Sequence, residues 1–212
     1  MQVYKSYKPI VSIILPTFNR AGLIERAINS VLCQTFKNWE LIIVDDGSSD
    51  STFEIINSFL MGNENIRYIK HSNRRPPLSF NAGMKASVGY YITFLGSDDE
   101  YQPDHIKLRV DFLNDNHDVD LIHGGVEIIG HPYVKDKNDI TQEIHIDNCA
   151  VGGTFFGKRT VFAELNGFYN LDYSDDSDFL ERAERAYNVK KVDWKTYIYY
   201  RDTPDSICTN IE

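Results

Sequence analysis

Three acidic clusters in this chain have the residue types and spacing that chemistry requires: Asp45-Asp46, Asp98-Asp99-Glu100 and Asp175-Asp176-Ser177-Asp178. The first ends the apolar run Leu41-Ile42-Ile43-Val44 and precedes the turn Gly47-Ser48-Ser49. A carboxylate there can accept the imide N–H of a uracil or thymine, although acidic residues before a turn often only cap it. The second cluster follows another apolar run at Gly96-Ser97. Its oxygens, joined by the phosphate oxygens of a substrate, suit Mg2+ or Mn2+. A solvated acidic turn would look the same in isolation, but a second cluster beside the first weakens that reading. In the third cluster, acidic residues in the first turn of a helix complement its dipole. Asp176, however, stands three and four residues before Phe179 and Leu180, at the edge of a buried stripe, from which it could reach a cleft as a general base. Arg74-Arg75 are either solvated loop cations or a guanidinium site for a diphosphate, whose paired oxygens they match.

These groups need a scaffold that gathers strand ends. Residues 10–15 form an apolar run closed by Pro16, and Asn19 then caps a helix in which Leu23, Ile24, Ala27, Ile28, Val31 and Leu32 recur at helical spacing. Residues 40–44 predict a second strand, with Ser48-Ser49 capping a helix through Phe53, Ile55, Ile56 and Phe59. Residues 66–69 predict a third strand, followed by the Arg74-Arg75-Pro76-Pro77 loop and a helix through Ala82, Met84 and Ala86 that stops near Gly89. Residues 90–95 predict a fourth strand. Three β-α units ahead of a fourth strand predict an α/β fold with a doubly wound, mainly parallel central sheet flanked by helices. Ligands of such sheets lie outside the carboxyl ends of the strands, where Asp45, Asp46 and the Asp98 cluster fall. Residues 1–100 thus read as a nucleotide-binding half. Beyond Pro103 a helix runs through Ile106, Leu108, Val110, Phe112 and Leu113, and residues 119–129 alternate imperfectly like a strand. Residues 131–148 read as a surface excursion or a β-hairpin, and residues 151–157 as a short strand with close backbone approach at its glycines. Ser174 caps a last helix with a stripe of Phe179, Leu180, Ala183 and Ala186.

The composition is that of a globular protein. At 212 residues, 42% hydrophobic and 25% charged, the chain is long enough to bury roughly 70% of its unfolded surface without a staple. A net charge of −9 argues against a nucleic-acid partner, which would be gripped by clustered Lys and Arg. It leaves room for a nucleotide whose diphosphate a divalent cation carries. Cys33, Cys149 and Cys208 are odd in number and widely spaced, so a reducing compartment is expected, cytoplasmic and with room for a peripheral place at a membrane. No apolar run approaches the ~20 residues of a transmembrane segment.

Taken in order, Pro16-Thr17-Phe18-Asn19-Arg20, Val44-Asp45-Asp46-Gly47-Ser48-Ser49-Asp50, Asn81-Ala82-Gly83, Gly96-Ser97-Asp98-Asp99 and Gly167-Phe168 followed by Asp175-Asp176 resemble the inverting family two glycosyltransferases of GT-A fold. The likeness runs from about residue 9 to residue 207. It implies a single domain over residues 1–212, with the donor half at 1–100 and a smaller, irregular acceptor-side half at 101–212. It also implies a nucleoside-diphosphate-sugar donor, usually a UDP-sugar, a divalent cation (Mn2+ or Mg2+), and transfer to the hydroxyl of a saccharide, lipid-linked or protein acceptor. By position, Pro16, Thr17 and Phe18 would flank the base, Asp45 and Asp46 would serve the donor with Asp46 taking the imide proton, and Arg75 would meet phosphate. Asn81 would join the donor site, Asp98 and Asp99 would share ribose and metal, and Asp176 would be the catalytic base. The chain departs from the family's pattern at Gly96, the first place of an Asp-x-Asp motif, and at Phe80, Asp175 and Thr203, where Arg, Glu and His are common. These departures keep an alternative open, a sugar-nucleotide-binding module without catalysis. A nucleotidyltransferase is disfavoured because Pro16-Thr17-Phe18-Asn19-Arg20 replaces the glycine-rich basic loop such enzymes need.

Overall fold

The computed structural model describes residues 8–203. Pro204 and Cys208 lie outside the described residues. The centre is built from β1 (Val11–Thr17), β2 (Trp39–Asp45), β3 (Ile66–Lys70) and β4 (Tyr91–Phe94), connected by α1 (Ile24–Leu32), α2 (Thr52–Leu60) and α3 (Pro76–Ala86). β1 pairs in parallel with both β2 and β4, and β2 with β3. The chain moves outward from β1 to β3 and then returns to the other side of β1, so a crevice opens at the carboxyl ends of β1 and β4.

The unbroken apolar runs of β1 and β2 are covered on both faces, and the strand pleat divides them. Ile13, Leu15, Leu41 and Ile43 pack with Ile24, Ile28 and Ile56, whereas Ile14, Ile42 and Val44 pack with Phe94, Phe162 and Phe179. Gly83 lets α3 lie close on this second face, since a Cβ there would meet Ile14 Cγ2 at 2.4 Å.

The second half adds β5 (Glu100–Tyr101), α4 (His105–Asp115), β6 (Leu121–His123), β7 (Val126–Ile129), β8 (Tyr133–Lys135), β9 (Glu143–His145), β10 (Phe156–Lys158), α5 (Arg159–Glu164), α6 (Asp175–Ala186), β11 (Val189–Lys191) and β12 (Tyr197–Tyr200). β10 runs antiparallel between β4 and β6, and β11 closes a seven-stranded sheet ordered β11-β6-β10-β4-β1-β2-β3. β12 pairs with β5 and β7 in a small second sheet, and β8 and β9 form the hairpin allowed by residues 131–148.

Several local expectations are corrected. The alternation at 119–129 belongs to two strands in different sheets, separated by Gly124-Gly125 at positive φ. Residues 152–154 form a 3-10 turn, and the strand expected there starts only at Phe156. Asn19 and Ser174 make no side-chain cap: Asn19 Oδ1 instead accepts from Ser49 N at 2.9 Å, tying two loops together. Nor do Ser48-Ser49 cap α2, where Asp50 Oδ1 accepts from Thr52 N at 3.1 Å. Leu108 and Ala186 are exposed. On α4 the buried place is taken by Arg109, whose guanidinium donates to Thr196 Oγ1 at 2.8 Å and to Gly124 O at 3.1 Å.

Candidate active site

The carboxyl ends of β1, β2 and β4, the first turn of α6 and the β8–β9 hairpin enclose a cleft of about 900 Å3. Of the residues singled out in the sequence, Pro16, Thr17, Phe18, Asp46, Arg75, Asp98, Asp99 and Asp176 line it. Asp45, Arg74 and Asn81 do not.

Asp45 and Asp46 show why adjacent carboxylates part company. Asp45, the last residue of β2, is fully buried and turned away from the cleft. Its Oδ1 accepts from Gly47 N at 3.1 Å and Ser48 N at 2.7 Å, and its Oδ2 from Tyr68 Oη at 2.6 Å. Burial opposes its ionisation, but Tyr68, the Ser48 hydrogen bonds and Lys70 outweigh that and hold its pKa below the usual carboxylate value. It holds the turn and does not itself line the cleft. Asp46 faces the cleft and accepts from Arg74 N at 2.8 Å and Arg75 N at 2.9 Å. These two bonds pull the backbone of Arg75 to φ 78, ψ 155, a conformation that side-chain-bearing residues avoid, immediately before Pro76 starts α3. The Arg75 guanidinium then pairs with Asp172 across the cleft. Asn81 likewise ties two segments and does not line the cleft: its amide donates to Phe168 O at 2.8 Å and accepts from Phe168 N at 2.9 Å.

Strain is concentrated at this cleft. Among the described residues four non-glycines have positive φ, and three of them, Asn19, Arg75 and Ser174, line it. Thr17 lines the same cleft. It is buried, yet its Oγ1 has no hydrogen-bond partner in the protein.

At the end of β4 the two carboxylates again differ. Asp99 is buried, accepting from Tyr197 Oη at 2.5 Å and Tyr200 N at 3.0 Å, so β12 is tied to the turn. Burial, and then the neighbouring Asp98, push its pKa up to about 8. Asp98 is the more open of the two, and its backbone carbonyl accepts from Arg26 of α1, whose guanidinium lies 3.6 Å from the Tyr200 ring centroid. A Cβ at Gly96 would stand 2.6 Å from Asp99 Oδ2 and 3.1 Å from Asp98 Oδ1. The two carboxylates therefore already fill the place where the family's motif carries its first acid. For a divalent cation the protein offers only a partial set, led by Asp98, with the oxygens of Asp99 engaged by Tyr197 and Tyr200. Among the described residues no group of three or more His, Cys, Asp or Glu converges as a complete metal site. Such a set fits a hard cation that shares its coordination with substrate phosphates.

Asp176 opens onto the opposite wall. Its Oδ1 accepts from Ser177 N at 2.7 Å and its Oδ2 from Gly152 N at 3.2 Å. Burial pushes its pKa up to about 6 against those bonds, and burial together with Asp176 pushes Asp175 to about 7. A carboxylate titrating near 6 is ionised at neutral pH and still basic enough to take a proton.

A model of glycosyl transferase family 2 matches residues 12–165, well over half of the chain. The chain belongs to glycosyl transferase family 2. An uncharacterized glycosyltransferase of Rickettsia prowazekii is 31% identical over 224 residues, covering 97% of this family 2 chain and 69% of the relative. One from Haemophilus influenzae is 37% identical over 180 residues, covering 82% and 71%. Among solved structures, S. aureus TarS in complex with UDP-GlcNAc superposes with a TM-score of 0.77 at 20% identity, over 95% of this chain and 61% of that one. A mannosyltransferase from Pyrobaculum calidifontis in complex with GDP-Man and Mn2+ gives 0.71 at 20% identity, over 94% and 59%. These likenesses show the GT-A fold, and the family 2 chain spans about 60% of the length of the two structures. No helix among its described residues is long and apolar enough to cross a membrane.

Sequence reasoning missed four residues of the family 2 site: Arg26, Gly152, Tyr197 and Lys137. The aromatic and β-branched run Tyr197-Ile198-Tyr199-Tyr200 carries a strand signal that would have found Tyr197. Gly152 was marked only as a glycine of close backbone approach, and nothing local marks Arg26 or Lys137.

Proposed function

We propose that the chain transfers a sugar from a nucleoside-diphosphate donor, a UDP-sugar in the first place, to an acceptor hydroxyl with inversion at the anomeric carbon. The observation that carries this reading is the placement of Asp176, raised to about 6, across one cleft from Asp46 and Asp98 at the strand ends. Thr17 and Asp46 form a nucleoside edge, with an unpartnered hydroxyl and a carboxylate fixed by two backbone amides. Phe18, 40% exposed, and Pro16 give the base an apolar wall. Arg75 supplies a guanidinium for the diphosphate once it leaves Asp172. In a single displacement Asp176 takes the acceptor O–H proton while that oxygen bonds to the anomeric carbon and the bond to the diphosphate breaks. Mn2+ or Mg2+, held by Asp98 with the phosphate oxygens, would neutralise charge on the leaving diphosphate. The UDP-GlcNAc in TarS and the GDP-Man with Mn2+ in the mannosyltransferase support both ligand classes. The acceptor is a saccharide, lipid-linked or protein hydroxyl, and the enzyme is cytoplasmic, peripheral to the membrane where its acceptor is lipid-linked.

Thermal unfolding with UDP, GDP or dTDP, each with and without Mn2+, tests the donor site. A nucleotide at 100 times its dissociation constant stabilises the folded state by about 2.7 kcal/mol. The expected result is a Mn2+-dependent rise, largest with UDP. No shift with any nucleotide would overturn the proposal.

A further inference from the structure

Asp46 is held by more than the backbone amides of Arg74 and Arg75. His71 follows β3 and continues its ladder, its N donating to Asp45 O at 3.0 Å, and it turns its imidazole toward the Asp46 carboxylate. Nδ1 stands 3.1 Å from Asp46 Oδ1 and 2.8 Å from Ser72 O, and Nε2 stands 3.4 Å from the hydroxyl of Ser79, a buried residue of α3. The His71 side chain is 15% exposed and does not line the cleft. The residue before it has a different partner: Lys70 Nζ donates to Ser48 O at 2.9 Å and lies 3.7 Å from Asp45 Oδ2. Consecutive residues at the end of β3 thus serve the consecutive acids at the end of β2.

The neighbours of Nδ1 decide where the imidazole proton lies. Both are acceptors, a carbonyl and a carboxylate, so Nδ1 carries a proton; a bare nitrogen there would set its lone pair against theirs. Nε2 faces a hydroxyl, which can donate or accept. For Asp46 the result is a matter of counting. An ionised carboxylate has about four places for hydrogen bonds. Oδ1 meets Arg74 N at 2.8 Å and His71 Nδ1 at 3.1 Å, whereas Oδ2 meets Arg75 N at 2.9 Å, so the place left is on Oδ2. Thr17, whose backbone carbonyl accepts from Asp46 N at 2.8 Å, brings its unpartnered hydroxyl to the same cleft. A single acceptor place and a hydroxyl match an imide, one N–H flanked by carbonyls, as in uracil. Guanine presents two N–H donors side by side and would need a place on each oxygen.

We propose that His71 is a positioning residue for Asp46: its Nδ1–H, together with Arg74 N, fills one carboxylate oxygen, so that the edge accepts a single imide N–H and prefers uracil to guanine. The preference for a base rests on the reading of the cleft as a nucleoside-diphosphate site. The contact between His71 and Asp46 does not.

The contact is read without ligand, by nitrogen NMR of the imidazole rings of the full chain in alkaline solution, where an imidazole is neutral, with His71 assigned by its loss in His71→Asn. The Nδ1–H tautomer is expected, and Nε2–H would overturn the proposal. The preference is read by calorimetric titration of wild type, His71→Leu and His71→Asn with UDP and with GDP in Mn2+. Leucine keeps the bulk and removes the donor, whereas the asparagine amide nitrogen takes the place of Nδ1. His71→Leu is expected to weaken UDP about 5- to 20-fold and GDP by less, which narrows the preference, while His71→Asn binds UDP within about twofold of wild type. A leucine variant that keeps the wild-type UDP affinity or weakens both nucleotides alike, or an asparagine variant that behaves like the leucine one, overturns the proposal. A chain that binds neither nucleotide would remove the donor reading and the base preference with it, and the tautomer would still show whether His71 holds Asp46.

Discussion

The two walls of the cleft are built on different principles. The donor wall is the edge of a buried parallel sheet: Thr17, Asp46 and Asp98 lie at or just beyond the ends of strands whose side chains are almost wholly buried, and Asp46 is held by two backbone amides. The acceptor wall is the first turn of α6, a helix seated in the core through Phe179 and Ala183, and a hairpin tied back by Tyr173 with Lys135 and Lys137 with Glu181. A nucleotide is a constant ligand and suits a fixed edge. An acceptor differs from one enzyme to the next, and loops and hairpins can change without disturbing the sheet.

This contrast can be broken by substitution. The largest effect is expected at Asp45→Ala, which leaves the Tyr68 hydroxyl, two amides and Lys70 facing an uncompensated buried gap. A loss of about 3 kcal/mol in chemical denaturation is expected, with UDP binding lost along with the turn. A mild effect, under about 1 kcal/mol, would mean that the donor edge is not held from below as described. Arg75→Gly should act in the opposite direction on stability. Glycine accepts φ 78 without strain, so the fold gains about 1 kcal/mol while UDP binds more weakly for want of the guanidinium. A variant that loses stability would place the strain elsewhere.

A smaller effect appears in the pH dependence of stability. Asp99, Asp175 and Asp176 have folded-state pKa values of about 8, 7 and 6, all above their unfolded value of 3.8. The folded state therefore holds protons that the unfolded state releases, and stability falls as pH rises from about 4 to about 8. In calorimetry with EDTA, Tm should decline between pH 6 and 8, and Asp99→Asn should flatten that decline. A Tm that rises over this interval would contradict the burial described for these acids.

The donor wall was largely legible in the sequence because its signals are local. Four apolar runs separated by helical periodicity gave the sheet, and the acids after β2 and β4 fell where such sheets bind ligands. What local signals could not decide was which of two adjacent acids faces the cleft. Successive residues point to opposite faces, so Asp45 and Asp46 had to part, but only the turn geometry shows which goes inward. The tie made by Asn81 was invisible for a related reason: its partner, the Phe168 backbone, comes from a loop 87 residues away. Tyr197 reaches Asp99 and Lys137 reaches Glu181 across separations of 98 and 44 residues, pairings that no periodicity announces. Gly96 looked like a missing acid, yet the space beside it is taken by the carboxylates of Asp98 and Asp99.

If Asp176 takes the acceptor proton, the donor wall binds its nucleotide independently of that carboxylate. Steady-state transfer and UDP affinity measured side by side for wild type and Asp176→Asn test this most directly. The account predicts a fall in kcat of at least ~10²-fold with UDP affinity unchanged. A variant that keeps the wild-type rate would contradict it.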